Sequence, residues 1–361
     1  MTAAAAFARY AQARSQRTGL ALGALAVALV VVFVFAIGHG AVSIEPGRVV
    51  AILLERIGLI AASQADATEQ AVLLSIRLPR AVLGVLVGAG LAVAGGALQG
   101  LFRNPLADPA LIGISTGAAL FAAVTIVLGG LAAAHLPAGL IMHLLPLAAF
   151  AGALLTTFVV YRIATREGRT DVATMLLAGV ALNAITAAGI GLLIFISSEQ
   201  QLRDINFWLL GSLGGASWER LMVAGPLMLA PALALPFLAR QLNALALGET
   251  EAHHLGFDVE RVKRITVVLA ALAAGAAVAL CGVIGFVGLL VPHLLRLVLG
   301  PDHRTLLPAA ALLGAILLLI ADLLARTIVL PAELPIGILT SCIGGPFFLW
   351  LLVRRRGFGV W

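Results

Sequence analysis

Four kinds of residue in this chain could do chemistry: a serine set between glycines, a single lysine, seven histidines and two cysteines. Gly113-Ile114-Ser115-Thr116-Gly117 matches G-x-S-x-G, the pattern that presents a nucleophilic serine on a strand-to-helix elbow in soluble hydrolases. Its base would have to be a distant histidine, His143 or His293. The surrounding sequence is apolar and shows no convincing strands, so glycines that pack helices are the better reading. Lys263 is followed by Arg264 and follows no glycine-rich turn. A phosphate-binding loop needs a lysine followed by Ser or Thr, so that the amine reaches the phosphates. An ATP site of that kind is absent. His253 and His254 are adjacent and point to different helix faces, and no histidine pair has metal-ligand spacing. His39, His135 and His143 fall toward one side of the chain's topology. They read either as contacts for a metal-bearing substrate or as ordinary interfacial residues. Cys281 and Cys342 lie in apolar stretches and indicate neither a disulfide framework nor a metal cluster. No catalytic group, metal site or cofactor is expected on this chain.

What positions these residues is a membrane. Of 361 residues, 61% are hydrophobic and 11% charged, a ratio no soluble core requires. Apolar segments at 20–37, 81–102, 110–130, 141–162, 173–196, 218–239, 263–282, 283–299, 306–325 and 336–353 predict an all-α polytopic membrane protein with ten transmembrane helices. An even number places both termini on one side. The run Thr18–Ser43 behind Arg9, Arg14 and Arg17 imitates a signal peptide but is long enough to span, and reads as a retained first helix. Cytoplasmic termini put sixteen cations inside and leave Arg48, Arg56, Arg77, Arg80, Arg203, Arg220 and Arg326 outside. The net charge of +6 therefore reports topology rather than nucleic-acid binding. The resulting organisation is a cytoplasmic segment 1–19, a ten-helix domain 20–353 and a cytoplasmic tail 354–361.

Arg77–Gly113 concentrates the unusual features. Gly84, Gly88, Ala92, Gly95 and Gly96 repeat at helical spacing and would let neighbouring helices approach closely. The break Arg103–Pro109 carries two prolines and cannot continue a regular helix. Outside, Ser43–Leu78 suits an amphipathic surface helix, and 202–212 reads either as a second short helix or as a solvated loop. At an offset of 187 residues, six of the 26 positions from Gly88 to Gly113 are identical to Gly275–Gly300, which suggests inverted repeats over spans 2–5 and 7–10. The one long inner loop, 241–264, predicts two short helices closed by Gly248 and Gly256, a polar knob fit for a soluble partner. Asp322 is the clear candidate for an ion-coupling acid, and an i,i+4 pair with Arg326 explains it more simply.

Four blocks in order, Arg77–Gly113, LALGETEAHHLG, GVIGFVGLLVPHLLRLVLGPDHR and ARTIVLPAELPIGILTSCIGGPFFLW, resemble the FecCD-type permeases, the membrane subunits of bacterial ABC importers for ferric siderophores, haem and cobalamin. The resemblance runs from about residue 20 onward. It implies a type II ABC importer permease fold in the bacterial inner membrane. It also implies a homodimer, two separate ATP-binding subunits that hold ATP and Mg, and a periplasmic binding protein. By resemblance Arg77, Arg80 and Arg326 dock acidic residues of the binding protein, against the alternative that they anchor helix ends. Leu247, Gly248, Glu249, Glu251, His254 and Gly256 would form the coupling helices on the ATPase, with Glu249 and Glu251 facing its basic groups. Asn104, Leu106, Val172 and Ala173 match the cytoplasmic gate. The blocks at 166–185, 201–215 and 297–304 are most similar to haem-importing members, with a ferric siderophore as the second expectation.

Overall fold

The computed structural model describes residues 3–40, 44–60, 66–133 and 137–355. His135, Ser43 and the tail residues 356–361 lie outside them. The chain forms α1 (Ala3–Gly38), α2 (Pro46–Arg56), α3 (Ala67–Ala71), a π turn at Val72–Arg77, and α4 (Leu78–Leu101). A 3-10 turn (Pro109–Ile112) leads to α5 (Ile114–Ala133), α6 (Ala138–Ala164) and a hairpin of β1 (Thr165–Arg166) and β2 (Arg169–Thr170). Then come α7 (Val172–Ile196), α8 (Glu199–Leu210) and α9 (Trp218–Ala234), and through a 3-10 turn α10 (Ala239–Leu247) and α11 (Glu249–His254). The last four are α12 (Val259–Cys281), α13 (Val287–Leu299), α14 (His303–Ala325) and α15 (Ile336–Arg355).

Among the described residues, seven helices are long and apolar enough to cross a membrane, and α5, α13 and α15 contribute three shorter apolar helices. Together they occupy the ten expected segments. The amphipathic stretch folds as α2, which buries Val49 and Ile52 against the end of α1. Segment 202–212 is helical as far as Leu210 rather than a loop. Ser198 accepts from the Gln201 amide and Gln201 reaches back to the Ser198 amide, a capping box that starts α8. Two expectations need correction. The eighth span does not begin at 283, because Gly282–Phe286 is not helical. That leaves α13 with 13 residues, about 20 Å of helix against a hydrocarbon core of about 30 Å. The chain is also not free of strands. The two-residue pairs of β1 and β2 are joined by Glu167 and Gly168, both at positive φ, as a tight hairpin turn requires.

At the centre stands α4, buried almost throughout and packed by α9, α12, α13 and α14. Its small residues make this possible. A side chain at Gly88 would meet the Gly314 backbone of α14, and one at Gly95 would meet the Gly288 backbone of α13. Bilayer helices gain little from hydrophobicity against one another, so contact distance decides their attraction. The 187-residue offset does not persist residue by residue. Gly95 lies mid-helix whereas Gly282 terminates α12 at φ 71°, and Pro105 lies in a turn whereas Pro292 lies inside α13.

Candidate functional site

One end of the bundle carries the expected knob. Gly248, at φ 140°, ends α10 and opens α11, and Gly256 at φ 85° closes the pair. Ala252 is buried beneath, while Leu247 is 70% and Leu255 60% exposed. Glu251 and His254 also face outward. Glu249 is held from one side: one carboxylate oxygen accepts from Lys263 Nζ at 2.7 Å, while 41% of the side chain stays exposed. The Lys263 side chain is 2% exposed and donates also to Glu260 Oε1 at 3.0 Å and to the Thr170 carbonyl at 2.7 Å. A buried ammonium persists only when paired and fully hydrogen-bonded, and three acceptors meet its three donors. On the other side of the knob, Asn243 of α10 donates to Asp302 at 2.7 Å and accepts from the His303 amide at 2.9 Å, holding α10 to the start of α14.

The expected gate lies at the same end. Asn104 Oδ1 accepts from the Leu106 amide at 2.9 Å, fixing a turn that leaves Leu106 42% exposed. Asp108 starts the 3-10 turn by accepting from the Ala110 amide. Val172 and Ala173 form the first turn of α7, capped by Asp171, which accepts from the Thr174 amide at 2.7 Å. The Thr174 hydroxyl and amide hold the Asp171 carboxyl below its ordinary range. The structure ties the two gate segments together. Asn183 of α7 donates to the Ala110 carbonyl at 3.2 Å and accepts from Thr116 at 2.6 Å, and Gly179 backs directly onto the Leu111 carbonyl. The G-x-S-x-G glycines are taken up by this packing. Gly113 closes the 3-10 turn at φ 81°, and Gly117 backs onto Gly152 and Thr156 of α6. His293 faces Phe347 and Phe348, and His143 lines a groove with Arg220 between α6, α9 and α12.

The opposite end holds the three arginines, largely buried. Arg77 donates to the carbonyls of Ile37 and Gly38 at 3.0 and 2.8 Å. Arg326 donates to those of His39, at 2.8 Å, and Ala36. A helix leaves its last carbonyls without partners, and these two guanidiniums satisfy them for α1. Arg80 bridges Asp322 Oδ1 at 2.9 Å and both oxygens of Glu333, also at 2.9 Å. The i,i+4 pair of Arg326 with Asp322 forms at 3.3 Å. Arg80's hydrogen bonds hold the Glu333 carboxyl below its ordinary value. Sequence reasoning missed Glu333, Asn243 and the role of Lys263. For Lys263 there was a signal: it is the sole lysine in a chain whose other cations are all arginine.

A model of the FecCD transport family matches residues 28–354. The chain belongs to the FecCD transport family. It is 48% identical over 283 residues to the hemin transport system permease HmuU of Yersinia pestis, covering 78% of this chain and 83% of that protein. It is 47% identical over 289 residues to the cobalamin import system permease BtuC of Halobacterium salinarum, covering 80% and 75%. A solved structure described as an inward-facing conformation of a metal-chelate type ABC transporter superposes with a TM-score of 0.79 at 33% identity, covering 92% of this chain and 98% of that one. The protein is thus a multi-pass membrane permease of an ABC importer, and its predominantly helical ten-span architecture is the fold of that family.

Proposed function

We propose that this FecCD permease carries haem across the bacterial inner membrane, from a periplasmic binding protein to the cytoplasm, by alternating access. The observation that carries the reading is the 48% identity to the hemin permease along 83% of that protein's length. The near-equal identity to a cobalamin permease supports a second reading, cobalamin import. Energy would come from two ATP-binding subunits seated against Leu247, Gly248, Glu249, Glu251, His254 and Gly256. Support for that contact is the glycine-bounded knob with two exposed leucines. Two copies would form the pathway, with Asn104, Leu106, Val172 and Ala173 closing it at the knob end. The charge asymmetry of the loops supports placing that end, and both termini, in the cytoplasm.

Docking of the binding protein at Arg77, Arg80 and Arg326 takes a narrower form. Arg77 and Arg326 already cap α1, so the exchangeable contact is Arg80. There an incoming carboxylate would replace Glu333, whose side chain is 46% exposed. Guanidinium–carboxylate pairs can be bidentate and fix orientation as well as adding energy. Proteoliposomes holding the permease and ATPase, with the binding protein supplied outside, test the substrate. Haem should accumulate, while cobalamin and ferric siderophores should not compete. Accumulation of cobalamin in preference to haem would replace the first reading by the second.

A further inference from the structure

The ion cluster around Lys263 joins the neighbouring helices α11 and α12 to the hairpin some 93 residues away, segments with different jobs under the proposed function, on which this inference rests. Lys263 Nζ reaches Glu249 of α11 at 2.7 Å, Glu260 in the first turn of α12 at 3.0 Å and the Thr170 carbonyl of β2 at 2.7 Å. Glu260 closes the ring by accepting from the Thr170 amide at 2.9 Å. Both backbone groups of Thr170 are therefore held, one by Lys263 and one by its neighbour Glu260. The next residue, Asp171, caps α7. The path from the exposed knob to Val172 and Ala173 is one side-chain pair and two peptide units.

We propose that Lys263 is the joint through which displacement of α11 moves the β1–β2 hairpin and the start of α7. The choice of side chain fits the task. A lysine ammonium is compact and rotates three donors onto acceptors from three directions, whereas a planar guanidinium suits the fork of one carboxylate. In a chain with 22 arginines, the single lysine stands where three segments converge. Lys263 is carried on α12, where Glu260 also holds the Thr170 amide, so moving α11 alone would leave a buried ammonium short of an acceptor; the start of α12 and the hairpin follow together. Asn243, bonded to Asp302 and His303, holds the other side of the knob to α14 and turns the motion into a hinge about α10.

The test uses the complete complex with Lys263→Met, and with Glu260→Gln as the milder variant. Spin labels at His253 of α11 and Glu167 at the hairpin tip, both exposed, report whether the two segments move together. The unsubstituted complex should keep one label distance with and without ATP. Lys263→Met should give a second, nucleotide-dependent distance and lower the substrate carried per ATP by at least about fivefold, the lower edge of typical coupling between sites. One shared distance in an assembled Lys263→Met complex, with transport per ATP unchanged, would overturn the joint. Loss of assembly in both variants would also overturn it, by assigning Lys263 to the fold alone. The label distance requires no transport, so absence of chelate uptake by the unsubstituted complex counts against the proposed function, and the joint is then judged by distance.

Discussion

Replacing Asp322 by alanine probes how the arginine end is held. The carboxylate lies 2.9 Å from Arg80 and 3.3 Å from Arg326, and its side chain is 4% exposed. At an effective dielectric of about 20, each contact amounts to roughly 5–6 kcal/mol of bare attraction. Desolvating each ion costs several kcal/mol, so the intact cluster contributes little net stability. Removing only the carboxylate is a different matter, because two guanidiniums then stay buried close together. Arg80 retains Glu333 and Arg326 retains the α1 carbonyls, which softens the loss. Asp322→Ala should therefore destabilise by about 2–4 kcal/mol, around the lower part of the range for breaking a buried pair. Asp322→Asn keeps the shape and one acceptor and should lose about half as much. Arg80→Leu combined with Asp322→Leu should be milder than Asp322→Ala, since two buried charges leave together. Equilibrium unfolding in detergent micelles reads all three. An Asp322→Ala change within about 0.5 kcal/mol of the unsubstituted protein, the usual size of a surface substitution, would refute this reasoning.

Other consequences are direct. Gly95→Val should force α4 from α13, because the new side chain meets the Gly288 backbone rather than a movable side chain; a loss of about 1–3 kcal/mol is expected for such overpacking, against little change for Gly19→Val, which has open space around it. Glu333→Gln releases Arg80 from its exposed partner, so the binding protein should stimulate ATP hydrolysis at a lower concentration; Arg80→Glu should abolish that stimulation. The Glu333 carboxyl is shifted downward, so its contribution is fully present above its unfolded value and is lost as pH falls through the folded one. Stability should begin to drop below about pH 4.3, the ordinary glutamate value, and thermal melts of Glu333→Gln should lack that component.

Much of the architecture was legible because membrane-spanning length and loop charge are local properties. The ten segments, the α2 helix and the glycine-bounded knob each follow from a window of a few to some twenty residues. The small-residue face of α4 was also readable, though its partners were not, since nothing in Gly88 or Gly95 names Gly314 or Gly288. The shortening of α13 escaped because Gly282–Phe286 is as apolar as a helix. Its backbone is instead stabilised by neighbours, with Ser212 donating to Cys281 at 2.7 Å and Gly211 backing onto Val283. The candidate sites were found by resemblance as stretches of chain, and their internal wiring was not. Arg80 with Glu333 and Lys263 with Glu249 and Thr170 span 253, 14 and 93 residues. Such pairings depend on three-dimensional closure, and for Arg77 the closure turned inward a side chain that position alone had set facing a partner.

Under the proposed function this chain moves its substrate by conformational change driven by a partner's ATP hydrolysis at the α10–α11 knob. Uptake by proteoliposomes, compared under internal ATP and under an imposed proton or sodium gradient, tests it most directly. ATP should drive haem accumulation in the presence of the binding protein, and deletion of Glu249–His254 should abolish it. Accumulation driven by the ion gradient without ATP, or undiminished by that deletion, would contradict the account.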